Sequence, residues 1–198
     1  MASTLCAGQY IILRKIPFQE SSLIVAGISP EFGRVDFLLK GARSVHKRKF
    51  PEAELFREFQ VQFREPKNAD GLANLISADL CGIHDALSEQ PEHYITACSC
   101  AAFLLKNTRP MLAIPDSYRA FIVLLQRLAA KKETEPWCSL AKFVFLYENG
   151  FVPKDDEAVH RVLQFALTPH TKLPDDRREW WGKFENWVEN LIVWHNLK

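Results

Sequence analysis

Residues 34–40 read RVDFLLK, and this stretch decides how the first part of the chain must fold. Its apolar residues Val35, Phe37 and Leu39 occupy every second position, the spacing of a strand with one buried face. Residues 58–64, which read EFQVQFR, repeat the same alternation. Both stretches therefore predict half-buried strands rather than helices.

Three further segments complete a set of five strands. Residues 9–16 and 21–28 are apolar runs separated by the turn 17–20, and a weaker run, 72–80, follows the turn 68–71. Five short strands within roughly 80 residues favour a small closed barrel, because closure removes exposed strand edges. We expect an OB-like barrel over residues 1–80.

The hydrophobic period changes after residue 82. Apolar residues recur at helical spacing in five segments, which are 93–106, 118–129, 140–147, 159–166 and 180–194. The last segment is rich in tryptophan, and we expect its stripe to pack against the other helices rather than to contact bases or lipid. The predicted fold class is α+β with two domains, the barrel at 1–80 and an all-α helical bundle at 81–198.

Whole-chain charge conceals an asymmetry. The 198 residues carry 25 Lys and Arg against 24 Asp and Glu, a net charge of +1. Residues 1–64 hold ten of the basic residues and six of the acidic ones, a net charge of +4, so the rest of the chain carries −3. A basic front of this kind indicates contact with nucleic acid, which the total alone would argue against.

The densest signal lies in residues 40–49, KGARSVHKRK, which hold five permanent cations and no acid. Such a loop beside a small barrel suits contact with phosphates, since Arg offers forked hydrogen bonds and both residue types release counterions. The alternative is that the loop merely solubilises the protein. Because the loop lies on an OB-like barrel, nucleic-acid binding is favoured over this alternative. Stacking by Phe18 or Phe50 and burial of these rings in the core both stay open.

No feature of the sequence indicates an enzyme. The motifs G-x-S-x-G, G-x-x-x-x-G-K and H-E-x-x-H are absent, and the six histidines lack the spacing of metal ligands. Acid pairs occur only at 155–156 and 175–176, where helices are expected to begin and where negative charge complements the helix dipole. We predict no catalytic residue, no cofactor and no metal site.

The cysteines and the chain start bear on the compartment. Five irregularly spaced cysteines are typical of reduced thiols, and we expect all five to act as small buried hydrophobes. Neither a signal peptide nor a run of apolar residues long enough to span a membrane is visible. We expect a cytoplasmic protein without membrane contact.

Several of these stretches together resemble the RecO family of bacterial DNA-repair and recombination mediators. The first half supplies an ordered pattern of a strand, E-S-S-L, G-R-V and K-G-A-R-S. The second half is similar at a helix that ends in a Gly-aromatic turn and at the final helix. The matching segments are 11–14, 20–25, 33–35, 40–44, 146–153 and 189–198.

The resemblance implies an N-terminal OB-fold and a helical C-terminal domain. It further implies a nucleoid-associated protein that binds single- and double-stranded DNA and anneals complementary strands. Its implied partners are the C-terminal tail of the single-stranded DNA-binding protein SSB and RecR, with which it helps RecA to load. The expected DNA-binding residues, some from the family motifs and some from the charge of the loop, are Arg14, Arg34, Lys40, Arg43, Lys47, Arg48 and Lys49.

Two points qualify the transfer from the family. Many relatives carry a four-cysteine zinc ribbon after the Gly-aromatic turn, whereas residues 154–176 here contain no cysteine, so we expect the ribbon to be absent. The pocket for the SSB tail is expected among the helices, with Arg119, Arg127 and Lys142 as candidates for a basic rim.

The sequence is also compatible with two other functions. One is an OB-fold protein–protein adaptor that works through its helical domain and binds little DNA. Another is a barrel that binds RNA, which differs from the DNA-binding mediator only in its ligand.

Overall fold

The structure is a computed structural model that describes residues 4–44, 53–66, 68, 71–130, 136–154, 156–169 and 178–197. The chain divides into two compact units. A strand unit comprises Met1–Asp85 and Thr108–Pro115, and a helical unit comprises Ala86–Asn107 and Asp116–Lys198.

Five antiparallel strands form the sheet of the strand unit. They are β1 (Leu5–Phe18), β2 (Ser22–Ser29), β3 (Gly33–Leu39), β4 (Glu58–Arg64) and β5 (Asn74–Gly82). Their order in the sheet is β3-β2-β1-β4-β5, and every neighbouring pair is antiparallel. All five strands predicted from the apolar alternation are present, and β1 is longer than the sequence indicates.

A register shift in β1 explains why its sequence reads as an apolar run rather than an alternation. The pairing with β2 slips between Ile12 and Arg14. Ile11, Ile12 and Leu13 are consequently all buried, and Arg14 is exposed. A bulge of this kind lets one strand serve two faces of a curved sheet.

Aromatic rings fill the core of the strand unit. Phe37 meets Tyr10 and Phe63 edge to face, with ring centroids 4.9 and 5.4 Å apart. The Tyr10 hydroxyl donates a hydrogen bond to the Val35 carbonyl over 3.1 Å. Burial raises the pKa of the Tyr10 phenol well above its usual value. The core therefore holds a neutral, hydrogen-bonded tyrosine.

The two outermost strands approach each other at one point. Ala73, just before β5, forms a parallel bridge with Phe37 of β3, and its N–H donates to the Asp36 carbonyl over 2.8 Å. This bridge brings the ends of the five-stranded order together, as a barrel requires.

Residues 108–115 pair with the strands, although the sequence alone assigns them to the helical domain. Pro110 bridges Gly33 and Arg34, and the Ile114 N–H donates to the Pro30 carbonyl over 2.9 Å. Gly33 has φ +63°, and a Cβ there would lie 2.2 Å from the Leu112 carbonyl oxygen. Only glycine fits that backbone approach.

Five helices build most of the helical unit. They are α1 (Pro91–Asn107), α2 (Pro115–Ala129), α3 (Trp137–Glu148), α4 (Glu157–Ala166) and α5 (Arg178–Trp194), and a 3-10 turn, Asp85–Glu89, precedes them. The five helices predicted from helical periodicity are all present.

Contacts between side chains far apart in the sequence hold these helices together. Phe103 of α1 meets Phe145 of α3 with ring centroids 5.3 Å apart. The Glu148 carboxylate accepts hydrogen bonds from the N–H groups of Asp116 and Ser117, each over 2.9 Å. This carboxylate thereby satisfies free donors at the start of α2.

The tryptophan stripe of α5 is only partly packed. Phe184 is buried and stacks on Trp180 with ring centroids 5.6 Å apart, as expected of a packed stripe. Trp187 contacts Phe143 but stays 40% exposed, and Trp194 is 84% exposed. The expectation of packing is thus wrong for Trp194 and holds in part for the others.

Cysteines and polar clusters give no sign of a metal centre in the described residues. All five cysteines are free, but only Cys6 and Cys100 are buried and Cys81 is exposed, so the expectation of five buried thiols is wrong. Among the described residues no three His, Cys, Asp or Glu side chains are grouped to hold a metal ion. Nor does any described helix have the length and apolarity to cross a membrane.

Candidate nucleic-acid interface

The chain leaves β3 through a turn that carries two predicted DNA-binding residues. This basic turn, residues 40–44, exposes the side chains of Lys40 and Arg43. Gly41 has φ +70°, and nothing lies within 4 Å of the position a Cβ would take. The Ser44 N–H closes the turn on the Gly41 carbonyl over 3.0 Å. The turn can therefore present its cations without a shielding side chain at its centre.

Backbone hydrogen bonds attach the basic turn to the connection between β1 and β2. The Arg43 N–H donates to the Ser21 carbonyl over 2.9 Å, and the Arg43 guanidinium reaches the Gln19 carbonyl at 3.5 Å. Gln19 itself has φ +53°. The contact fixes Arg43 beside the end of β1, so the position of the cation does not depend on a free loop.

Arg14 lies on the same sheet, four residues before the end of β1. It is exposed, and its strand neighbour Lys15 points to the other face, where it pairs with Glu54. Within the described residues neither Arg14 nor Lys40 forms an ion pair. Both cations therefore remain available to an external anion.

Arg34 is in a different environment from the other three cations. Its guanidinium pairs with the Asp36 carboxylate through contacts of 2.8 and 3.2 Å, and both side chains are half-buried. Its N–H also donates to the Arg109 carbonyl over 3.3 Å. Because Asp36 offsets its charge, Arg34 contributes less to the field of this face than its sequence position indicates.

Arg34 and Asp36 also line a pocket of the strand unit. This cavity has a volume of about 220 Å³, and Pro66, Pro110 and Met111 form part of its wall. Its charged side chains are the two members of the ion pair, which contact each other. The cavity adds no group that the interface needs.

Three predicted DNA-binding residues follow the basic turn in the sequence. Lys47, Arg48 and Lys49 lie outside the described residues. The structure therefore brings together Lys40 and Arg43 in the basic turn, places Arg14 on the same sheet, and sets Arg34 apart in an ion pair.

The three candidate rim residues of the helical unit do not form one exposed rim. Arg119 on α2 is exposed. Arg127, on the same helix, is only 3% exposed, lies 4.4 Å over the Trp137 ring and donates to the Thr168 carbonyl over 3.4 Å. Burial lowers the pKa of its guanidinium. The placement of Arg127 on a rim is therefore corrected: it is part of the packing.

Lys142 on α3 is also committed to an internal contact. Its ammonium group pairs with the Glu189 carboxylate over 2.6 Å and lies 5.7 Å from the Phe103 ring centroid. Burial acts to lower the Lys142 pKa, but Glu189 and the nearby Cys138 and Cys100 thiols outweigh it, so the pKa is raised. Of the three candidates, Arg119 alone is open to solvent.

The sequence interpretation missed an exposed apolar region beside the basic turn. Ile16 and Phe18, at the end of β1, are 39% and 38% exposed. The open choice between stacking and core for Phe18 is thus decided against the core, and Phe50 lies outside the described residues. The bulge in β1 changes which residues face outward after Ile12, and this change would have to be known to predict that Ile16 and Phe18 are exposed.

Comparison with known proteins agrees with this geometry. Residues 1–84 match the family model described as "Recombination protein O N terminal". The chain carries a RecO N-terminal domain. The predicted resemblance to the RecO family and the predicted fold class, an OB-fold followed by helices, are thereby confirmed.

The RecO N-terminal domain supports a role in DNA repair and recombination. The match ends at residue 84, before the first α-helix begins. The helical unit is thus assigned to the family by the sequence resemblance alone. A comparison with curated protein sequences gives no match for this chain.

Proposed function

We propose that this protein is a DNA-binding recombination mediator that contacts the phosphate backbone through its basic turn. The observation that carries the proposal is the attachment of Arg43 to the β1–β2 connection, which holds this exposed cation in the same turn as the exposed Lys40. This arrangement lies within residues 1–84, which match the RecO N-terminal family model.

The chemistry of the site suits a polyanion without sequence preference. Arginine donates forked hydrogen bonds to phosphate oxygens, and lysine supplies a mobile point charge. Neutralising phosphates releases counterions, so binding should weaken steeply as salt rises. We further propose that Lys47, Arg48 and Lys49 extend the cationic surface, and that Arg14 adds to it from β1.

DNA binding across a salt series tests the proposal. Lys40→Ala with Arg43→Ala should weaken binding to a single-stranded oligonucleotide about tenfold at low salt. The slope of log K against log salt should become shallower by about 1.4, because each neutralised single-strand phosphate contributes roughly 0.7. Extending the substitution to Lys47, Arg48 and Lys49 should bring the reduction to about 3.5.

A matched control removes the same charge from the helical unit. Lys106→Ala with Arg161→Ala replaces two exposed cations on α1 and α4. This variant should keep the wild-type slope. Equal slopes for the control and for the basic-turn variant would show that total charge, rather than the turn, governs binding.

The finer activities follow from the family. We propose that the protein anneals complementary strands, and that with RecR it helps RecA to displace SSB, acting without an enzymatic step. In this scheme residues 1–80 bind nucleic acid and residues 81–198 bind protein partners, including the acidic SSB tail. The place of action would be the bacterial nucleoid in the cytoplasm.

The exposed tryptophans favour one alternative, an adaptor that acts mainly through proteins. Trp194 is 84% exposed and Trp187 40%, and exposed aromatic side chains are enriched in protein interfaces. The two functions differ in one result. An adaptor would bind an acidic, apolar-ended peptide while showing no affinity for DNA even at low salt.

A further inference from the structure

One face of the sheet carries a row of apolar side chains at the end nearest the basic turn. On β3, Val35, Phe37 and Leu39 point into the core, so Leu38 lies on the opposite, outer face. Register aligns Leu38 with Ile24 on β2, and Ile24 with Ile16 on β1. Directly paired residues of antiparallel strands share a face, so the three side chains form one row.

Phe18 extends this row toward the β1–β2 connection. It follows Ile16 by two positions on the same strand and therefore lies on the same outer face. Both side chains are more than a third exposed, and Ile24 and Leu38 are half-buried. Ile16, Phe18, Ile24 and Leu38 are called the apolar row below.

On β1 and β2 the outer face is open at this end. Farther along the same strands Ile11, Ala26 and Ile28 are fully buried. Exposed apolar side chains that are grouped, rather than scattered, mark contact surfaces in soluble proteins. This grouping therefore indicates a contact surface at this end of β1, β2 and β3.

Cations lie at both ends of the apolar row. Arg14 precedes Ile16 by two positions on the same face, and Arg43 is bonded to the carbonyls of Gln19 and Ser21, which flank the connection after Phe18. From Arg14 to Phe18 is a distance of about 13 Å along the strand. A strand of nucleic acid that crosses this face can therefore meet a cation on either side of the apolar row.

Acidic groups on this face do not cancel those cations. Asp36 is aligned with Arg14 through Ala26, but its carboxylate pairs with Arg34. Glu20, in the connection between β1 and β2, is exposed. Four cations, Arg14, Arg34, Lys40 and Arg43, thus face two acids, and the excess of positive charge selects an anionic ligand.

We propose that the apolar row receives unstacked bases of single-stranded DNA while the flanking cations hold its phosphates, so that Phe18 gives the protein a preference for single strands over duplex. Bases within a duplex are stacked on each other and cannot lie flat on an aromatic side chain. This inference rests on the proposed function, because it concerns the same DNA-binding face.

Substitution of Phe18 separates base contact from phosphate contact. The full-length protein and its Phe18→Ala variant are titrated with three ligands of equal phosphate number: an oligo(dT), an abasic strand and a duplex. Base stacking on an aromatic side chain is strong enough that Phe18→Ala should weaken oligo(dT) binding about tenfold. Affinity for the abasic strand and the duplex should stay within twofold of wild type, and the salt slope should not change.

Two control variants guard against a merely structural effect. Phe18→Trp keeps an aromatic face and should bind oligo(dT) like the wild type. Ile76→Ala removes an equally exposed apolar side chain from β5 and should leave all three affinities unchanged. Unchanged thermal unfolding of Phe18→Ala shows that the fold is intact.

The outcomes distinguish this inference from the proposed function. If Phe18→Ala binds oligo(dT) as tightly as wild type, or loses affinity equally for all three ligands, the base-stacking role is wrong while DNA binding stands. If the wild type binds none of the three at low salt, the proposed function fails and this inference with it. If Phe18→Ala loses affinity for oligo(dT) and Phe18→Trp keeps it, the result supports both the base-stacking inference and the proposed function.

Discussion

Two predicted binding cations of the strand unit and two of the helical unit are placed in opposite ways. In the basic turn, Lys40 and Arg43 are exposed, and main-chain hydrogen bonds set the position of Arg43. In the helical unit, Arg127 lies over Trp137 at 4.4 Å and Lys142 pairs with Glu189 at 2.6 Å. Of the predicted binding cations, Lys40 and Arg43 are thus open to solvent, whereas Arg127 and Lys142 are engaged in contacts within the helical unit.

This difference shows that a basic residue predicts a binding site only when its sequence neighbours also indicate exposure. Lys40 and Arg43 follow a strand and have no acidic neighbour in sequence, so their exposure could be expected from the pattern. Arg127 lies one helical turn after Val123 and Leu124, which are both buried, on the packed side of α2. A cation with buried neighbours one turn away belongs to the packing.

The largest change in the free energy of unfolding is expected on substitution of the buried Arg127. Arg127→Ala removes the stem packed on Trp137 and the hydrogen bond to the Thr168 carbonyl. We expect the free energy of unfolding to fall by about 3 kcal/mol, in the range typical of lost buried networks. Urea unfolding followed by tryptophan fluorescence measures this change, since Trp137 itself lies beneath the guanidinium.

Matched substitutions show whether burial, not charge, is responsible. Arg161→Ala on the exposed side of α4, and Lys40→Ala with Arg43→Ala in the basic turn, should each change the free energy of unfolding by less than about 0.5 kcal/mol. A loss for Arg127→Ala no larger than these would remove the contrast between the two units.

A smaller change in the free energy of unfolding is expected on substitution of Tyr10 in the core of the strand unit. Tyr10→Phe deletes the hydrogen bond to the Val35 carbonyl and should cost about 1 kcal/mol at pH 7. Burial raises the folded-state pKa of Tyr10 above the unfolded value of 10.0. Its stabilisation is therefore complete below pH 10 and is lost as pH rises above 10, where the unfolded phenol ionises first.

The test compares wild type and Tyr10→Phe in urea at pH 7 and at several pH values above 10. The wild-type free energy of unfolding should fall more steeply with alkali, so that the difference between the two proteins shrinks. Parallel pH profiles would mean that Tyr10 does not stay neutral in the folded core.

Much of the fold was predictable because local patterns agree with tertiary contacts. The alternation in residues 34–40 and 58–64 corresponds to β3 and β4, and the helical periodicity after residue 82 corresponds to α1–α5. The place of residues 108–115 was not predictable, because main-chain pairing with Gly33 and Pro30 leaves no side-chain pattern in the sequence.

The candidate site was predictable in part for the same reason. Charge density identified the basic turn without any structure. The apolar row depends on which face each residue takes after the bulge near Leu13, and a one-residue shift reverses every face that follows. The ion pair of Arg34 with Asp36 was likewise hidden, although the two residues are only two positions apart on one strand face.

The smallest effect concerns the remaining exposed cation of the predicted rim, Arg119. If the helical unit binds the acidic tail of SSB, Arg119→Ala should weaken binding of an acidic, apolar-ended peptide about threefold, as expected for an exposed charge pair. Isothermal titration of the DNA-free protein measures this affinity, and Arg161→Ala, equally exposed on α4, is the control. Neither change should alter the free energy of unfolding by more than about 0.5 kcal/mol. Equal affinities for both variants would assign the peptide contact to other residues and leave the helical unit without a proposed rim.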